Sequence, residues 1–92
     1  MELLTDDQIT AELAGVPAWT RDGSAITTVT ERADFLDAML YVGAVAYLAQ
    51  TADHHPDIAI SWNQVTLTLS THSAGGLTAA DFALARQISA LT

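Results

Sequence analysis

Ninety-two residues are read as one small domain spanning 1–92. Half of them are apolar, 15% are charged and none is cysteine. This excludes a disordered chain, a disulfide scaffold, a thiolate zinc site and a cysteine nucleophile, and it suits the cytoplasm, where the chain is expected. Eleven acids face three arginines (Arg21, Arg32, Arg86) and no lysine, for a net charge of −8. Nucleic acid and anionic membrane surfaces are excluded as partners for want of clustered cations, and Schiff-base chemistry for want of lysine.

The segment Met1–Gln8 is polar and acidic and resembles neither a signal nor a transit peptide. Thr5-Asp6-Asp7-Gln8 reads as a capping box opening a short helix through Leu13, stopped near Gly15 and Pro17. Ala18 to Arg21, a turn at Asp22-Gly23, and Ala25 to Thr30 read as a hairpin. A long helix is predicted from about Asp34 to Ala52, with no charge between Ala38 and Ala52. Those fifteen residues span about 22 Å, short of a bilayer. A helix apolar all round must be covered all round, so the chain's own sheet is expected on one face and another subunit on the other. After Pro56 the period changes to two: Asp57–Ser61 is a strand, Trp62-Asn63-Gln64 a turn, and Val65, Leu67 and Leu69 alternate with Thr66, Thr68 and Ser70. Gly75-Gly76 breaks the chain, Thr78 to Asp81 caps a final helix, and Phe82, Leu84 or Ala85, Ile88 and Leu91 form its inner stripe. The order α-β-β-α-β-β-α predicts an α+β fold, a four-stranded antiparallel sheet with helices packed on one face.

The three histidines lie between residues 54 and 72, within the second hairpin. His54 and His72 are symmetric about Asn63, so the hairpin brings its ends together, with cross-strand partners about 5 Å apart. Asp81 follows a short glycine-rich loop and can be carried back to the same end. Imidazoles near a carboxylate exchange protons near neutral pH. Plainer roles stand beside this one. His54, His55 and Pro56 also suit a helix end, His72 a surface strand end, Trp62 packing, and Asp81 the third position of a helix cap.

The stretch ADHHPDIAISWNQVTLTLSTHSAGGLTAADFALA resembles the signature of the pterin-4a-carbinolamine dehydratase family, through His54-His55-Pro56, Trp62, Thr71-His72, Gly76-Leu77-Thr78 and Asp81. The resemblance is close over roughly residues 50 to 85, and the earlier elements are compatible with it. It implies a compact α+β fold, homodimers or homotetramers through helix 34–52, and no metal or organic cofactor. It also implies that 4a-hydroxytetrahydropterin (4a-hydroxytetrahydrobiopterin) loses water to give quinonoid dihydropterin. This is a hydro-lyase reaction that recycles tetrahydropterin for an aromatic amino acid hydroxylase, the implied pathway partner. His54 and His72 would be the acid/base pair, His55 would hold the pterin and Asp81 would fix an imidazole tautomer. Asp53, Ser70, Thr71 and Ser73 would meet the pterin's hydrogen-bonding edge.

One position departs from the pattern: four residues before the first histidine the family often has glutamate, and here stands Gln50, which cannot carry charge. Two rival readings remain. The family includes a member that serves as a dimerisation cofactor for a transcription factor, and degenerate relatives that act in assembly. A metal site from His54, His55 and His72 is the other, although adjacent histidines tend to point apart.

Overall fold

Alternation of apolar and hydroxyl side chains builds the sheet. In the computed structural model, which describes residues 2–91, the strands are β1 (Thr20–Asp22), β2 (Ala25–Glu31), β3 (Asp57–Ser61) and β4 (Gln64–Leu69). Met1, which opens the N-terminal segment read above, and Thr92, which closes the span 1–92, lie outside the described residues. The strands pair antiparallel in the order β1-β2-β4-β3, as expected for an α+β fold. Ile26 and Thr28 of β2 share a buried face with Val65, Leu67 and Leu69 of β4, while Val29, opposite Thr66, faces the open side. A period of two on a one-sided sheet produces this division.

Both hairpins turn on two residues, which corrects the expected turns by one position. Asp22 stays in the ladder opposite Ala25, leaving Gly23-Ser24 as the loop, with Gly23 at φ 60°. Gln64 likewise belongs to β4, opposite Ser61, so the second loop is Trp62-Asn63. Two-residue loops require positive φ to match strand twist, and Trp62 supplies it at 52°. Asn63 anchors this loop: its Nδ2 donates to the Arg32 carbonyl at 3.0 Å, and the Arg32 N–H donates to the Asn63 carbonyl at 2.8 Å.

Three helices cover the buried face: α1 (Asp6–Leu13), α2 (Phe35–Ala52) and α3 (Ala79–Ser89). The α1 capping box forms as read, with reciprocal bonds between Thr5 and Gln8. On α2 the buried stripe is Ala38, Tyr41, Val45 and Ala49, at helical spacing against the sheet and α3. Its other sides remain open, with Leu36 67%, Leu40 65% and Tyr47 72% exposed. The helix runs over 18 residues, within the expected span from Asp34 to Ala52; counted whole rather than over its uncharged stretch alone, it is by length and composition long and apolar enough to cross a membrane. Core helices of water-soluble folds satisfy the same criterion, and here one stripe of α2 already lies on the sheet. On α3, Phe82, Leu84, Ala85 and Ile88 are buried as expected. Leu91 falls beyond the last helical turn and is 39% exposed, so the helix end removes it from the inner stripe.

The start of α2 has its own electrostatic clasp. Asp34 caps the helix by accepting from Asp37 N–H, and Asp37 accepts from the Ala33 N–H and from the Arg32 guanidinium. The Ala33 bond and then the Arg32 fork hold the Asp37 carboxyl below its ordinary 3.8. A depressed carboxylate stabilises the fold above its unfolded-state pKa, and that contribution is lost as pH falls through the folded-state value. Asp37→Asn is therefore expected to be less stable than the parent at neutral pH, with the gap holding down to the unfolded-state value of 3.8 and narrowing as the pH falls below it. Urea titrations across this range check it, and a pH-independent gap would contradict it.

Candidate active site

Three chain ends meet beyond one edge of the helical layer. The first is the end of α2. Asp53 adopts the left-handed conformation (φ 50°, ψ 42°), which aspartate tolerates better than most residues, and its N–H bonds the carbonyls of Ala49 and Gln50. The His54 N–H then returns to the Ala49 carbonyl at 3.0 Å, and Pro56 prevents the helix from continuing. The second end is the exit of β4 at Ser70-Thr71, and the third is the start of α3, capped by Thr78.

Asp81 joins them. Its side chain is fully buried, and its Oδ2 accepts from the Thr71 hydroxyl at 2.8 Å and the Thr78 N–H at 2.9 Å. Its Oδ1 lies 2.6 Å from His54 Nε2, and the His54 side chain is 15% exposed. A carboxylate taking two donors on one oxygen acts as an acceptor on the other, so His54 Nε2 carries the hydrogen. The remaining ring nitrogen, Nδ1, is the one left to exchange a proton. The cap role and the histidine role of Asp81, both read from the sequence, are held by different oxygens: the capping box with Thr78 uses Oδ2 and the imidazole uses Oδ1.

The remaining candidates are placed less deeply. His55 is exposed, and its Nε2 lies 3.0 Å from Gln50 Oε1. An amide oxygen only accepts, so it orients His55 with a hydrogen on Nε2. Gln50 thus has a partner that sequence reasoning did not assign; its spacing of five from His55 across a helix end was the available signal. His72 and Ser73 are exposed on a single 3-10 turn, His72–Ala74. Ser70 Oγ donates to the Ser24 carbonyl in the first hairpin at 2.8 Å, and Asp53 is exposed at the helix end.

The symmetry assigned to His54 and His72 is off by one. The β3–β4 ladder pairs Asp57 with Thr68 and Ser61 with Gln64, and continuing that register sets Thr71, not His72, opposite His54. The cause is the two-residue turn, since a one-residue shift in register exchanges the face each side chain occupies. Thr71 accordingly points inward, 7% exposed, and His72 outward. Thr71 and Thr78 are hydrogen-bonded hydroxyl to hydroxyl at 2.8 Å, a buried pair of which the sequence suggested only the pterin edge for Thr71 and the cap for Thr78. Among the described residues no three His, Asp or Glu side chains converge on a metal position. Clefts of about 220 and about 150 Å³ are lined by neither His54, His55 nor His72; His55 and His72 are exposed and His54 is half-buried.

Comparison with known proteins decides which family uses this arrangement. The sequence model described as Pterin 4 alpha carbinolamine dehydratase matches residues 2–91. The chain belongs to the pterin-4a-carbinolamine dehydratase family. Relatives that bear the name "Putative pterin-4-alpha-carbinolamine dehydratase" include one from Mycobacteroides abscessus, 52% identical over 96% of this chain and 94% of its own. Another, from Nocardia farcinica, is 52% identical over 98% of this chain and 95% of its own. A crystal structure described as a transcriptional coactivator/pterin dehydratase from Brucella melitensis is 32% identical and superposes with a TM-score of 0.93 over 98% of each chain. The three-helix, four-strand architecture is thus that of a pterin dehydratase relative.

The two ends of the site should respond differently to truncation. Asp81→Ala strands three buried or half-buried donors, and unpaired buried groups cost about 1–3 kcal/mol each, so a loss of several kcal/mol is expected. His72→Ala removes an exposed ring and should stay within about 0.5 kcal/mol of the parent. Chemical denaturation measures both, and equal losses would contradict the burial difference.

Proposed function

We propose that this chain catalyses the dehydration of 4a-hydroxytetrahydropterin to quinonoid dihydropterin, recycling tetrahydropterin. The observation that carries this reading is the 2.6 Å contact between His54 Nε2 and the buried Asp81 carboxylate. It holds one imidazole in a defined tautomer beside the loop that bears His72, in a chain whose family is named for this reaction. The reaction needs one proton delivered and one removed. A general acid protonates the 4a-hydroxyl, the C–O bond breaks, and water leaves. A base takes a ring N–H proton, and the freed electron pair closes the new C=N bond. His54 and His72 divide these two roles and regain their starting protonation after one proton passes between them. His55, oriented by Gln50, holds the pterin, and the segments around Asp53, Ser70, Thr71 and Ser73 border its hydrogen-bonding edge.

Turnover of 4a-hydroxytetrahydropterin by purified protein, measured against the spontaneous rate, tests this. His54→Ala and His72→Ala should each lower kcat by on the order of a hundredfold or more, the scale of general acid–base catalysis. His55→Ala should act mainly on KM. Parental rates in either of the first two variants would remove that residue from the mechanism.

A second reading rests on a separate observation, the open stripe Leu36, Leu40 and Tyr47 on α2. Apolar side chains in contiguous patches on a small domain are a mark of association surfaces. We propose that α2 joins subunits into dimers or tetramers, a role that serves the enzyme and equally a non-catalytic dimerisation cofactor. Light scattering is expected to show an oligomer for the parent and a monomer for Leu40→Glu. An unchanged mass would take the interface away from α2.

A further inference from the structure

We infer that Thr71 is a positioning residue that aligns both proposed proton-transfer groups at once: His54 through Asp81, and His72 through the backbone of its own loop. This rests on the dehydratase reading above and adds to it a residue that acts through others.

The side-chain half follows from counting hydrogens. Each threonine hydroxyl has one hydrogen to give. Thr71 Oγ1 gives its hydrogen to Asp81 Oδ2, so the hydrogen between the two threonine oxygens belongs to Thr78. Thr78 Oγ1 in turn accepts from Ala80 N–H. The direction of every bond is thereby fixed: Ala80 N–H to Thr78, Thr78 to Thr71, Thr71 to Asp81, with His54 donating to the opposite carboxylate oxygen. Thr78 and Asp81 are fully buried and Thr71 is 7% exposed, so water does not offer a competing partner to this chain of bonds. Rotation of the Asp81 carboxylate would break the Thr71 and Thr78 bonds together, and the carboxylate orientation in turn sets where His54 points.

The backbone half concerns the 72–75 loop. The Thr71 carbonyl gathers the N–H groups of Ala74 at 3.0 Å, Gly75 at 3.0 Å and Gly76 at 3.3 Å, while the Thr71 N–H donates to the Gly76 carbonyl at 2.9 Å. The loop that carries His72 is therefore wrapped around one residue's peptide groups, and Gly75 closes it at φ 78°. Threonine suits this post because its branched Cβ restricts χ1, so the hydroxyl direction and the backbone path are coupled.

The test compares Thr71→Val, which keeps the branched shape and removes the hydroxyl, with Thr71→Ser, which keeps the hydroxyl. Steady-state rates with 4a-hydroxytetrahydropterin are read together with 15N NMR signals of the His54 ring in substrate-free protein, folding being checked by amide dispersion in the same samples. Thr71→Val should lower kcat roughly tenfold, the scale of one lost hydrogen bond to a charged group, with KM within about twofold. Its His54 ring signals should move from a single-tautomer pattern toward averaged values. Thr71→Ser should restore most of kcat and the parental ring signals. A Val variant with parental kcat and ring signals would overturn the inference, as would equal losses in both variants, or a rise in KM alone, which would mark Thr71 as a pterin ligand. Ring signals that change in the Val variant and not in the Ser variant, in a protein with no dehydration above background, would leave the positioning intact and remove the reaction assigned to it.

Discussion

Burial of the Asp81 carboxylate is the constraint on which the rest of the site depends. A fully buried carboxylate is tolerated only when its lone pairs are taken by donors, and here they are taken by Thr71, Thr78 and His54. Those three donors come from β4's exit, the start of α3 and the end of α2. A single charge therefore ties together the elements that enclose the site. The same interaction restricts His54 and leaves one ring nitrogen free of Asp81, so stability and the proposed proton transfer draw on one interaction.

The sheet and the long helix supply the frame that makes this convergence repeatable. The ladder register sends Thr71 inward and His72 outward, and the left-handed Asp53 stops α2 where His54 can reach Asp81. At the opposite end, Asn63 and Asp37 fix the second hairpin and the first turn of α2 to the Arg32 segment. Both ends of α2 are therefore clasped by side chains, while its outer face leaves Leu36, Leu40 and Tyr47 exposed.

Legibility in the sequence tracked how local each signal was. The capping boxes at Thr5 and Thr78, the period-two strands and the uncharged helix each depend on residues a few positions apart, and all form as read. Turn length was less legible. Asp22-Gly23 and Trp62-Asn63-Gln64 left the closing pair ambiguous, and a tryptophan at positive φ is not what turn chemistry favours. That single uncertainty propagated to the site, moving the position that the extended ladder register sets opposite His54 from His72 to Thr71. The Thr71–Thr78 hydroxyl pair was hidden for a different reason: threonine is common at strand ends and caps, and only the burial around Asp81 gives these two a shared purpose. Gln50 was visible as a departure from the family pattern, but its bond to His55 depends on how the helix ends.

The most direct test of the account is a crystal structure of the protein with a non-reacting dihydropterin. The account places the pterin's reacting edge between His54 Nδ1 and His72, with the Asp81 bonds to His54, Thr71 and Thr78 intact. A pterin bound away from these histidines, or a His54 that leaves Asp81 when the ligand binds, would contradict it.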